Sequence, residues 1–75
     1  MLTRSERVLT ATLSARERDV LRLIAQDLTY AQIANELHLG FDTVKAYANR
    51  LRAKLGTQTK VGLALFAVRN KLTGV

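Results

Sequence analysis

The chain has 75 residues, no cysteine, one histidine and a net charge of +6, so it forms one domain with a small core that buries only about 60% of its unfolded surface. Without thiols there are no disulfides or thiolate metal sites, and His38 by itself makes no metal centre, so neither an enzyme nor a cofactor is expected. Apolar runs such as Leu63 to Val68 fall far short of the ~20 residues of a membrane span, and Met1 to Thr12 holds no apolar signal-peptide core, which points to a cytoplasmic protein.

Residues 1–12 mix charges with threonine without a sustained period and read as a flexible tail or linker remnant, leaving 13–75 as the folded domain. Structure is expected to start at Ser14, which with Glu17 three residues later makes a capping box. The first helix follows to about Asp27, with Val20, Leu21, Ile24 and Leu28 on one face and Glu17 at its rim. Thr29 with Gln32 repeats the capping pattern and predicts a second helix over Tyr30 to Leu37, with Ile33, Ala34 and Leu37 inward. His38-Leu39-Gly40 interrupts, Leu39 plugging the turn.

A third helix is expected to begin near Phe41 or Asp42 and run to Leu55, with Gly40 or Asp42 at its cap and Gly56 as its left-handed stop. At ~100° per residue, Val44, Ala48, Leu51 and Leu55 fall in one apolar stripe with Tyr47 on its edge. The opposite surface carries Asp42, Lys45, Ala46, Asn49, Arg50, Arg52 and Ala53. Thr59 then caps a fourth helix from about Lys60 to Lys71, apolar around almost its whole circumference. That surplus argues for contact with a second chain, with Leu63, Phe66 and Ala67 as candidate interface residues. The pattern is all-α throughout.

The placement of charge sharpens this outline. Up to Phe41, five arginines (Arg4, Arg7, Arg16, Arg18, Arg22) balance five acids (Glu6, Glu17, Asp19, Asp27, Glu36). Beyond it, Lys45, Arg50, Arg52, Lys54, Lys60, Arg69 and Lys71 face only Asp42, the clustering expected of a surface that meets a polyanion. A basic face kept for solubility is the plainer alternative. A short helix, a three-residue break and a basic amphipathic helix are also the ingredients of a helix-turn-helix.

Four segments carry a closer likeness: Leu13-Ser14-Ala15-Arg16-Glu17-Arg18-Asp19-Val20-Leu21, Ile33-Ala34 with Leu37, Thr43-Val44-Lys45, and Lys54-Leu55-Gly56. In order and register they resemble the LuxR-type (GerE-like, FixJ/NarL-type) helix-turn-helix domains of bacterial transcription regulators. The resemblance implies a four-helix fold with the third helix as recognition helix and the fourth as dimer interface. Asp27 and His38 stand where that family usually has glycine, and both tolerate positive φ. Gly40 replaces a usual Ser or Thr cap, Ala46-Tyr47 a common Thr-His pair, and Gly62 a Glu. Glycine in a first helical turn costs up to ~1 kcal/mol.

On major-groove geometry, Lys45, Ala46 and Asn49 are the candidate base contacts. Lys45 suits guanine O6 and N7, Asn49 pairs bidentately with adenine, and Ala46 meets a thymine methyl. Thr29, Thr43, Tyr47, Arg50 and Arg52 are the candidate phosphate contacts, each a donor near the same face or at a helix start. Lys45 and Arg50 read alternatively as solvated cations, and Tyr47 as an aromatic at the core edge. The expected function is sequence-specific double-stranded DNA binding by a homodimeric regulator, either the output domain of a response regulator or a stand-alone protein. The rival is a helical module that binds a protein of the transcription machinery, RNA polymerase included.

Overall fold

A computed structural model describes residues 11–70, and within them the chain is all-α with four helices. They are α1 (Ala15–Ala25), α2 (Tyr30–Leu37), α3 (Phe41–Leu55) and α4 (Lys60–Arg69). The tail expected over residues 1–12 lies, up to residue 10, outside the described residues. So does Lys71, the expected end of α4, whose helical turns close instead at Asn70.

Three of the four helix starts are set by a side-chain hydrogen-bonding device. Ser14 Oγ accepts from Glu17 N at 3.1 Å while Glu17 Oε1 accepts from Ser14 N at 2.9 Å. Thr29 and Gln32 repeat the reciprocal pair at 3.1 and 2.8 Å. Thr59 Oγ1 accepts from Gly62 N at 2.9 Å, and Gly40 caps α3 without a side-chain bond. Such caps are worth about 1 kcal/mol apiece.

The turns depend on left-handed backbone at Asp27 (φ 66°), His38 (φ 55°) and Gly56 (φ 69°). At His38 this lets Leu39 N reach Ala34 O at 2.8 Å, which turns the chain sharply from α2 into α3. Gly62 has a separate reason to be glycine: a Cβ there would collide with Thr57 Oγ1, so its absence lets the loop at 57–59 close over the start of α4.

The core gathers one stripe from each helix: Val20, Leu21 and Ile24; Ile33 and Ala34; Val44, Ala48 and Leu51; Leu63, Phe66 and Ala67. α4 lies mainly against α1, while α3 is held by α1, α2 and α4. Leu23, which the periodicity left out, is also buried, and Leu28 and Leu37 are only partly so.

Two expectations need correcting. Leu63 and Ala67 have no exposed surface and Phe66 is 9% exposed, so these three, expected at a dimer interface, are spent on the domain's own core. The side of α4 that faces outward carries Val61, Leu65 and Val68, at 69%, 65% and 57% exposure. Glu17 in turn is not at a rim but buried at 3% exposure, where its Oε1 accepts from Lys54 Nζ at 2.8 Å. Lys54 also donates to Thr12 O at 3.3 Å, tying the last turn of α3 to the entry of α1. The surface pairs of Asp19 with Arg16 and Arg22, at 3.7 and 3.5 Å and well hydrated, contribute at most a few tenths of a kcal/mol.

Burial by itself would raise the Glu17 carboxyl, but the bond from Lys54, those from Ser14 and the nearby ammonium charge outweigh it, and the net direction is below its ordinary value of 4.5. The ionised form is therefore favoured by folding. This contribution is present in full above about pH 4.5 and disappears as the pH falls through the lowered folded-state value. Lys54→Met should cost on the order of 1–2 kcal/mol at pH 7, less than a fully buried pair because Lys54 stays partly hydrated. In urea melts the difference between the two proteins should shrink towards pH 3; a gap that is constant with pH would dissociate it from Glu17. A second pair of substitutions tests the turns. His38→Gly should raise stability by roughly 0.5 kcal/mol and Gly56→Ala lower it by about 1 kcal/mol in thermal melts, because each changes the strain of a left-handed residue.

Candidate nucleic-acid interface

The outward face of α3 follows from its buried one. Val44, Ala48 and Leu51 have no exposed surface and Leu55 only 8%, so the rotation of the helix about its axis is fixed. Lys45, Ala46 and Asn49, at i, i+1 and i+4, then share the exposed side, with Thr43 and Arg50 exposed beside them. The Lys45 side chain makes no hydrogen bond or ion pair among the described residues. Asp42 is the one acid in the first turn, where the helix dipole favours it.

The flanking candidates are placed differently from one another. Tyr47 is half-buried against the core, and the Arg50 guanidinium lies 4.6 Å above its ring. The tyrosine is thus both a core-edge aromatic and the platform that orients Arg50 along the helix. Thr29 sits at the start of α2, its Oγ1 engaged as an acceptor by Gln32 N and its hydroxyl proton still available to donate.

Arg52 departs furthest from expectation. It is half-buried, donating from Nη1 to Tyr30 Oη at 3.2 Å and from Nη2 to Asn49 Oδ1. An arginine expected to reach out to phosphate is drawn back across the gap between α3 and α2. Its partner Tyr30 belongs to a cluster that the sequence reading passed over. The Tyr30 and Phe41 rings meet at 6.4 Å, tilted by 58°, and Lys60 Nζ stands 5.2 Å over the Tyr30 ring. Lys60 also donates to Leu28 O at 2.7 Å. Aromatic residues opening two successive helices, one on each side of the turn, were the available signal.

With this geometry in view, the comparisons with known proteins are decisive. The family of "Bacterial regulatory proteins, luxR family" matches residues 11–67. The chain belongs to the luxR family. It is 42% identical over 59 residues to the DNA-binding transcriptional activator DevR/DosR of Mycobacterium tuberculosis, a match that covers 79% of this chain and 27% of that protein. It is 39% identical over 69 residues to the virulence factors putative positive transcription regulator BvgA of Bordetella pertussis, covering 92% of this chain and 33% of the relative. A probable transcriptional regulatory protein NarL of M. tuberculosis is 42% identical over 60 residues, 80% of this chain and 28% of its own. The luxR-family chain therefore spans between a quarter and a third of the length of these relatives. The match reaches from the segment ahead of α1 well into α4, so it includes α2, the turn at His38 and all of α3.

Proposed function

We propose that this chain binds double-stranded DNA sequence-specifically as a cytoplasmic transcription regulator, with α3 lying in the major groove as recognition helix. The observation that carries the reading is the fixed rotation of α3, which buries the stripe from Val44 to Leu55 and turns Lys45, Ala46 and Asn49 outward together. Lys45 is a single cation free to meet a guanine edge, and Ala46 is small enough for close approach to a thymine methyl. Thr43, Arg50 on its tyrosine platform and Thr29 at the start of α2 are placed to hold phosphates.

The relatives carry names such as DNA-binding transcriptional activator, which supports the same reading. So does the seven-to-one excess of cations beyond Phe41. Such a chain should bind with strong dependence on salt, because each neutralised phosphate adds about 0.9 to the log–log slope.

The outward side of α4 supports a reading in which two copies act together. Val61, Leu65 and Val68 stand at i, i+4 and i+7, the spacing of a seam between paired helices. Shallow cavities of about 650 and 250 Å³ share Leu65 and Val68 in their walls, so the ridge has hollows on either side for the side chains of an identical helix. The pairing would set two recognition helices on half-sites about one turn of DNA, ~34 Å, apart.

Fluorescence titration against selected DNA tests the groove model. Binding should weaken steeply between low and physiological salt, and Lys45→Ala should cost about 1–3 kcal/mol while relaxing preference at one base pair. A flat salt response would sink the model, and an equal loss on every sequence would make Lys45 a phosphate contact. For the pairing, Leu65→Asp should shift sedimentation towards monomer and abolish cooperative binding to paired half-sites, while single half-site affinity stays within about twofold. Unchanged self-association would place the interface elsewhere.

A further inference from the structure

Asn49 does not present a free amide. Its Oδ1 accepts from Arg52 Nη2, while its Nδ2 has no hydrogen-bond partner among the described residues. An amide is near-symmetric in shape, but only one of its two ends accepts hydrogen bonds. Turning it over would set its NH2 donors against the guanidinium donors, so the cation allows one orientation. Arg52 is itself held in place by Tyr30 Oη, which takes a bond from Nη1 at 3.2 Å. No carboxylate pairs with Arg52 among the described residues. Its undiminished charge polarises the Asn49 amide and makes the Nδ2 hydrogens stronger donors.

We propose that Arg52, anchored by Tyr30, is a specificity-setting positioning residue that makes Asn49 read as a donor. This rests on the placement of α3 in the major groove proposed above. A bidentate asparagine–adenine pair needs Oδ1 to accept from adenine N6 while Nδ2 donates to N7. Arg52 occupies one side of Oδ1 and brings a positive charge next to the amino group that would have to approach it. What remains favourable is donation from Nδ2 to an edge rich in acceptors, either guanine N7 and O6 or thymine O4. The base pair beneath Asn49 should therefore be selected as guanine or thymine in preference to adenine. Tyr30, 22 positions from Arg52 in sequence, takes part in the choice without touching DNA.

The test is selection of bound duplexes from a random pool by the native protein and by Arg52→Met, Tyr30→Phe and Asn49→Ala, with the affinities then measured on the four versions of the affected base pair. Arg52→Met keeps an unbranched apolar stem, and Tyr30→Phe keeps the ring that meets Phe41 and Lys60, so it decides the matter even if the first variant fails to fold. The native protein should favour guanine or thymine at one position per half-site. Arg52→Met should move that preference towards adenine by roughly tenfold, within the range of one bidentate contact. Tyr30→Phe should shift it the same way by less. Asn49→Ala should remove it, and Arg52→Met should have no further effect at that position in the Asn49→Ala background.

A uniform loss on all four base pairs with a salt slope smaller by about one would make Arg52 a phosphate contact and overturn the proposal. An unaltered preference in both Arg52→Met and Tyr30→Phe would overturn it as well. A native protein that enriches no sequence would instead refute the groove placement itself.

Discussion

Everything that α3 presents to solvent depends on the burial of one stripe along its length. Val44, Ala48 and Leu51 are sealed from solvent, and a helix with three such anchors over two turns cannot rotate without exposing apolar surface. Uncovering a whole leucine side chain costs about 1.5–3 kcal/mol, more than the roughly 1 kcal/mol that an ordinary hydrogen bond returns. Ala48 matters through its size, because a small side chain in mid-stripe lets α3 approach its neighbours closely. Lys45, Ala46 and Asn49 are outward residues because the stripe behind them has no alternative. The outward surface of α3 is therefore a consequence of core packing and needs few interactions of its own.

Much of this was legible in the sequence, and the reason is locality. The bounds of α2 and α3 match the predicted ones because a capping box, a left-handed histidine, an uncapped glycine and a stop glycine all act within four residues of the boundary they set. The left-handed backbone expected at Asp27 and His38 is present for the same reason. α4 resisted, since apolar residues surround it and periodicity could not say which side the core would claim. Leu63, Phe66 and Ala67 took the core, and Val61, Leu65 and Val68 were left outside.

What the sequence hid were contacts between residues far apart along the chain. Lys54 meets Glu17 across 37 positions and Arg52 meets Tyr30 across 22. Neither pair has a spacing that any local rule would mark. Both change the meaning of a residue that had been read from its own helix. Lys54 looked like one more of the cations clustered beyond Phe41 and is the counter-ion of a buried acid; Arg52 looked like a phosphate arm and is a strut.

These two contacts also divide the work along α3. At its C-terminal end, Lys54 joins the helix to the entry of α1 by a bond that matters to stability, since Glu17 Oε2 has no hydrogen-bond partner and the carboxylate relies on Oε1. Two residues earlier in the same last turn, Arg52 joins the exposed face to α2 through a hydroxyl, a weaker and partly hydrated link outside the core. A substitution at the first link acts on the whole fold. One at the second alters only how an amide is offered to its target. Separating the two lets the polar surface of α3 vary while its rotation, and with it the set of residues turned outward, stays protected by the core.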